Sequence, residues 1–123
     1  MPYPLNDAIK RDMRMSASPE FIAYVRDQFT PLGNLEDGSF FGGFAFKYSS
    51  KQFAMIMGNT LYFCVNDESR IKYKRLGMEP FSYVTKKGRI QVNKYYSAPE
   101  ELFEDQEKLI EWANEAIESA YSA

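Results

Sequence analysis

The feature that most constrains the fold is the stretch Phe53–Val65, FAMIMGNTLYFCV. Two apolar runs flank Gly58-Asn59, a two-residue hairpin signal with glycine first, as a type II′ turn requires. A turn there sets the register. Met57 faces Thr60, Ile56 faces Leu61, Met55 faces Tyr62, Ala54 faces Phe63 and Phe53 faces Cys64. Side chains alternate across a strand. One face then carries Ala54, Ile56, Leu61, Phe63 and Val65, and the other Phe53, Met55, Met57, Thr60, Tyr62 and Cys64. Both faces are largely apolar, whereas a sheet with one wet face alternates more cleanly. The second face is therefore expected to be covered, by the N-terminal arm, by a curled sheet or by a second subunit. Phe53, Met55, Met57 and Tyr62 are the candidate protein interface, and a homodimer is one assembly that would use them.

The rest of the chain reads as cover and extension for this hairpin. Met1–Met15 has Leu5, Ile9 and Met13 every four residues, which fits a short amphipathic helix or a frayed arm. Ser18-Pro19-Glu20 is a helix start: a capping hydroxyl, a proline at the first helical position and an acid at the positive end. Phe21, Ile22, Val25 and Phe29 mark its apolar stripe, and Pro31 and Gly33 end it. Leu35–Phe41 is a weakly patterned first strand. Gly42-Gly43 follows, read as a bulge or a close backbone approach. Phe44, Phe46 and Tyr48 have strand period, and Ser49-Ser50 is a turn.

Beyond the central hairpin, Asn66–Ser69 caps a short helix over Arg70–Leu76, ended by Gly77. A second hairpin, Phe81–Thr85 and Ile90–Val92 around Lys87-Gly88, alternates cleanly and is expected to be half exposed. Ala98-Pro99-Glu100-Glu101 opens the last helical region, which Asp105 restarts. Leu109, Ile110, Trp112, Ala113, Ala116, Ile117 and Ala120 form its apolar face. The pattern predicts an α+β fold with about five strands and three helices.

A chain of 123 residues fits one domain. The reading divides it into an N-terminal extension, 1–15, and a single domain, 16–123. No basic n-region with an apolar h-region opens the sequence, and Cys64 is alone, so a cytoplasmic address without disulfides is the expectation. There is no histidine, which excludes imidazole-based triads and imidazole metal ligands within this chain. Charge is unevenly spread. Residues 70–94 carry Arg70, Lys72, Lys74, Arg75, Lys86, Lys87, Arg89 and Lys94 against Glu79 alone, while residues 100–118 are acidic.

The candidate chemistry is thin. Phe41-Gly42-Gly43-Phe44 lacks the following Lys-Ser/Thr and helix of a phosphate loop. Arg70, Lys74, Arg75, Lys86, Lys87 and Arg89 are the candidate anion or nucleic-acid contacts, with Tyr73, Tyr83, Tyr95 and Tyr96 among them as potential base-stacking groups. A solvated face is the plainer account of the same charges. Glu107, Glu111 and Glu115 recur every four residues, which also suits a solvated face. Cys64 reads as a buried small hydrophobe. No catalytic, cofactor or metal site is expected.

Several stretches together resemble the N-terminal domain of the TfoX/Sxy competence regulators. They are Ser18-Pro19-Glu20-Phe21 with Leu32-Gly33, Phe41-Gly42-Gly43-Phe44, Phe53-Ala54-Met55-Ile56, Leu61-Tyr62 with Val65-Asn66-Asp67, Pro80-Phe81-Ser82-Tyr83, and Lys94-Tyr95-Tyr96 with Pro99-Glu100-Glu101-Leu102. The resemblance runs from about Ser16 to the end. It implies a two-layer α/β sandwich with a mainly antiparallel sheet, similar to secretion chaperones, in a bacterial, cytoplasmic, non-enzymatic setting. Full-length members look like accessory activators of competence genes that act with a cyclic-AMP-dependent transcription factor and carry a second, C-terminal domain; the resemblance here covers the first. Gly38-Ser39-Phe40 stands where members often have basic and methionine residues, and Ala45 where they often have glycine. The expected function is a non-enzymatic regulatory domain acting by protein–protein contact. The alternative is a nucleic-acid-associated regulator using residues 70–94.

Overall fold

A computed structural model describes residues 16–122 of the chain. The reading of Met1–Met15 as a helix or arm, and as a cover for the sheet, lies outside the described residues. Three helices and six strands follow in the order α1 (Pro19–Gln28), β1 (Glu36–Phe40), β2 (Gly43–Tyr48), β3 (Lys51–Met57), β4 (Thr60–Cys64), α2 (Asp67–Arg75), β5 (Pro80–Thr85), β6 (Gly88–Ser97) and α3 (Gln106–Ser122). Short 3-10 turns at Thr30–Leu32 and Glu100–Glu104 precede β1 and α3. The strands form one antiparallel sheet in the order β1-β2-β3-β4-β6-β5. The architecture is the expected α+β fold, with six strands where the sequence suggested about five. No helix among the described residues is long and apolar enough to cross a membrane.

The helix ends follow their local signals. Ser18 Oγ accepts from the Phe21 amide, and Pro19 opens α1. Asn66 and Ser69 form a reciprocal capping box at α2, so that helix starts three residues earlier than its apolar pattern suggests. Its end is a Schellman closure: the amides of Gly77 and Met78 donate to the carbonyls of Lys74 and Tyr73. Asp105 Oδ1 accepts from the Lys108 amide at the start of α3.

The four leading strands are joined by two-residue turns. Phe41-Gly42 and Ser49-Ser50 have positive φ at both central positions, as in type I′ turns. Gly58-Asn59 has it at the glycine alone, the type II′ arrangement read from the sequence. The register across that turn also matches: Met57 pairs with Thr60, Ile56 with Leu61, Met55 with Tyr62 and Ala54 with Phe63.

Phe53 departs from the expected pattern: the expected Phe53–Cys64 pair does not form, and both residues lie in the main core and not on the face of Met55. The β2–β3 ladder runs Phe46–Ala54 and then Lys47–Gln52, so Phe53 is the extra residue of a bulge. It joins the helix-side core instead of the face of Met55. There Phe29 packs its ring against Phe46 at 5.1 Å, Phe53 at 5.7 Å and Phe63 at 6.2 Å. Val25, Ala54, Ile56, Leu61, Leu109, Trp112, Ala113 and Ala116 complete this core between the sheet and the helices.

Met55 and Met57 lie on the opposite face and are 2% and 3% exposed. They form a second cluster with Phe81, bordered by Phe40, Tyr62, Tyr83, Val92 and Tyr95. Among the described residues the second face is thus covered by a curled sheet. Its curl has a specific origin. Phe81 pairs with Val92 but Pro80 pairs with Tyr96, so Asn93, Lys94 and Tyr95 lie outside the β5 ladder. Only Tyr95–Ser97 of β6 pairs with β4. The outer ribbon of β5 and the first half of β6 is therefore free to turn, and Phe81 meets Tyr62 edge-on at 5.3 Å. As expected, this ribbon is half exposed: Phe81 is buried, whereas Val84 and Ile90 near the tip are exposed.

The glycine pair resolves into two roles. Gly42 belongs to the β1–β2 turn, and Gly43 begins β2 in close contact with β3. A Cβ on Gly43 would stand 2.5 Å from Met57 Sδ and closer still to the Ile56 carbonyl oxygen. The backbone oxygen cannot move without breaking the sheet. Gly43→Ala is expected to lower unfolding free energy by about 2–3 kcal/mol, read from the urea midpoint.

Burial also sets the alkaline limit. It raises the pKa of Tyr73, of Tyr95 to about 12, and of Tyr62 and Cys64. In the unfolded chain these groups ionise near their ordinary values, at about 8.5 for the thiol and about 10 for the phenols. Above those values the unfolded state binds fewer protons than the fold, so stability falls as pH rises. Stability should be unaffected by these groups below about pH 8 and decline from about pH 9 to 12. Urea midpoints across that range, with tyrosinate absorbance appearing together with unfolding, check this.

Candidate functional site

The ribbon and α2 enclose a polar groove. Arg70 and Lys74 lie one turn apart on α2 and form one wall, Gln91 and Asn93 on β6 form the other, and Pro80 and Tyr96 complete the lining. The cavity is about 550 Å3, and none of these six residues is a carboxylate. The shape follows from the break in the β6 ladder. Asn93 sits in the stretch outside the β5 ladder, and its carbonyl accepts from Arg70 Nε at 3.0 Å. Arg70 NH1 also donates to Asp67 at 2.8 Å. This guanidinium ties α2 to the ribbon and holds the groove open at a set width.

Alternation carries Arg89 onto the same face of β6 as Gln91. Its NH1 donates to Ser82 Oγ at 2.8 Å, across the strand pair on that face. Val84, paired with Arg89, is 55% exposed beside it. Lys86 and Lys87 form the ribbon turn, and Arg75 is exposed beside Lys74 on a different side of α2. Of the six cationic candidates, the fold brings Arg70 and Lys74 to one groove and sets Arg89 further out on the ribbon face that carries Gln91. It leaves Lys86 and Lys87 at the tip and Arg75 outside.

The acidic helix neutralises little of this. Lys72, which was not among the candidates, donates to Glu115 Oε1 at 2.7 Å and lies 3.8 Å from the Trp112 ring centroid. Lys74, Lys86, Lys87 and Arg89 form no ion pair among the described residues. The tyrosines among the cations do other work. Tyr73 and Tyr96 are buried in the main core, and Tyr73 packs edge-on against Trp112. Tyr83 and Tyr95 border the second cluster, and Tyr95 Oη donates to the Gln52 carbonyl.

The four candidate interface residues are likewise accounted for. Phe53, Met55 and Met57 are packed within the chain and Tyr62 is half-buried. The accessible part of that face is the edge of Tyr62 with Phe40, Tyr83 and Val92. The ribbon carries exposed apolar groups that sequence reasoning did not single out, Val84 and Ile90. Their signal was present: two aliphatic residues in a hairpin too short to bury both of its faces.

The chain is thus an open-sheet α+β domain with a cationic groove at one edge of the sheet. The family model of the TfoX N-terminal domain matches residues 27–120, and the chain belongs to that family. No curated protein matches the chain.

Cys64 is buried at the end of β4, and burial raises its thiol pKa, partly opposed by Lys94. A raised pKa leaves less thiolate, the reactive form. Labelling of the folded protein by a soluble maleimide at about pH 8 should be at least about 100-fold slower than in urea. Mass spectrometry of the labelled chain reads the rate.

Proposed function

We propose that this chain is a non-enzymatic regulatory domain that works by protein–protein contact, with residues 16–123 as its functional unit. Membership of the TfoX N-terminal domain family supports a competence-regulator-like role. The observation that carries the contact reading is the outer ribbon. It projects past β4, one backbone edge of β5 is unpaired among the described residues, and Val84 and Ile90 expose 55% and 41% of their surface on its two faces. An edge strand with exposed apolar groups is a template for another chain unless charge or proline guards it. Here Pro80 guards the inner end, and Lys86 and Lys87 guard the tip. The middle, Ser82–Val84, is open.

The nucleic-acid reading has less support. Its cations are divided between a groove and a tip, and of the tyrosines that would stack on bases Tyr73 and Tyr96 are buried in the main core while Tyr83 and Tyr95 are partly buried against the second cluster.

Site-specific photocrosslinking tests the contact reading in cells of the source organism. A photoreactive residue replacing Val84 or Ile90 should yield discrete protein adducts, and one replacing Glu107 on the outer face of α3 should not. Equal adducts from all three positions, or none from the ribbon, would overturn it.

A further inference from the structure

We infer that the groove between α2 and the ribbon is a binding site for an extended acidic peptide segment of a partner protein. This rests on the protein-contact reading above and names the chemistry of the partner.

Four features of the groove select that ligand. First, its charge is of one sign. Arg70 and Lys74 line it, Arg89 lies outside the lining on the same face of β6 as Gln91, and the cavity lining contains no carboxylate. Asp67 offsets part of the charge of Arg70, so Lys74 and Arg89 are the cations left for a ligand. Second, Arg70 is held in place. Two of its nitrogens are engaged by Asp67 and the Asn93 carbonyl, and NH2, which has no hydrogen bond among the described residues, can donate to an incoming carboxylate. Third, the Gln91 and Asn93 amides on the opposite wall can donate to and accept from a peptide backbone, a pairing that suits an extended chain rather than a bare ion. Fourth, exposed Val84 lies on the same face as Arg89 and Gln91 and offers an apolar contact among the cations. The matching ligand is a strand of aspartate and glutamate residues interrupted by an aliphatic side chain.

The same features disfavour nucleic acid in this groove. Tyr96 is the only aromatic residue of the lining, and it is 3% exposed, so no base can stack on it. On the far side of α2, α3 presents Glu111 and Glu118 to solvent beside Glu115. That acidic surface repels a long polyanion continuing past the groove but tolerates a short peptide confined to it.

The probe is a fluorescein-labelled peptide of about ten residues, all aspartate and glutamate except one central leucine, titrated with the protein in a polarisation assay at low salt. Saturable binding is expected, weakening as salt rises. Lys74→Gln and Arg89→Gln should each weaken it about five- to tenfold. Lys47→Gln, which removes the same charge from β2, three strands away from β6, should change it less than twofold. Circular dichroism and the urea midpoint confirm that each variant is folded; Arg70 is not substituted because it joins α2 to the ribbon. Three results overturn the inference: no saturable binding at millimolar protein, equal weakening by Lys47→Gln, or tighter binding of a labelled oligonucleotide of equal charge. Any of these, with ribbon crosslinks still forming in cells, removes the groove and leaves the contact reading standing. Loss of both removes the two together.

Discussion

The edge-on contact of Phe81 with Tyr62 is the interaction on which the outer half of this domain depends. β3 and β4 carry apolar side chains on both faces, and the helices can cover only one. Phe81 brings the ribbon back over the other, so that Met55 and Met57 are sealed among side chains of their own chain. The gain is that of several apolar side chains removed from water, at about 25 cal/mol per Å2 of area buried. The cost is a break in the β6 ladder. Asn93 and Lys94 have no partner in β5, and their carbonyls are satisfied elsewhere. The Asn93 carbonyl accepts from Arg70, and the Lys94 carbonyl from the Val65 amide.

That break is also what makes the groove. A ribbon in plane with the rest of the sheet would leave no cleft beside α2. Because it turns toward Met55 on one side, it parts from α2 on the other, and Arg70 spans the gap. The second core and the cationic groove are thus two sides of one deformation. Lys72 shows the contrast. Two residues from both Arg70 and Lys74, and so on the opposite side of the same helix, it meets α3 and is absorbed by Glu115 and Trp112. Whether a lysine of this helix is available to a partner is decided by which neighbour its side of the helix faces.

Much of the fold was legible because its signals are local. The Gly58-Asn59 turn, the four-pair register across it, the Ser18 and Asp105 caps and the Gly77 closure each depend on a few adjacent residues. The doubly apolar hairpin correctly implied a second cover. Phe53 was misplaced because a bulge reverses the alternation on which the face assignment rested, and nothing in the run FAMIM marks it. The tyrosines of residues 70–96 were also unreadable as to role. A tyrosine among lysines has the same local pattern whether its ring lies on the surface or, like Tyr73, in the core against Trp112.

The sequence by itself determined the elements, their order, most of their pairing and the sign of the charge on each segment. Periodicity, turn chemistry and capping act over distances of one to four residues along the chain. Only the tertiary structure decided that Arg70 and Lys74 share a groove while Arg75 does not. It alone decided that Met55 and Met57 are covered by the ribbon, and that Val84 and Ile90 are left exposed. Those outcomes depend on a ladder irregularity in β6 and on the direction in which the ribbon turns. Both go with the packing of Phe81 on Tyr62, a contact between residues on different strands that no local pattern encodes.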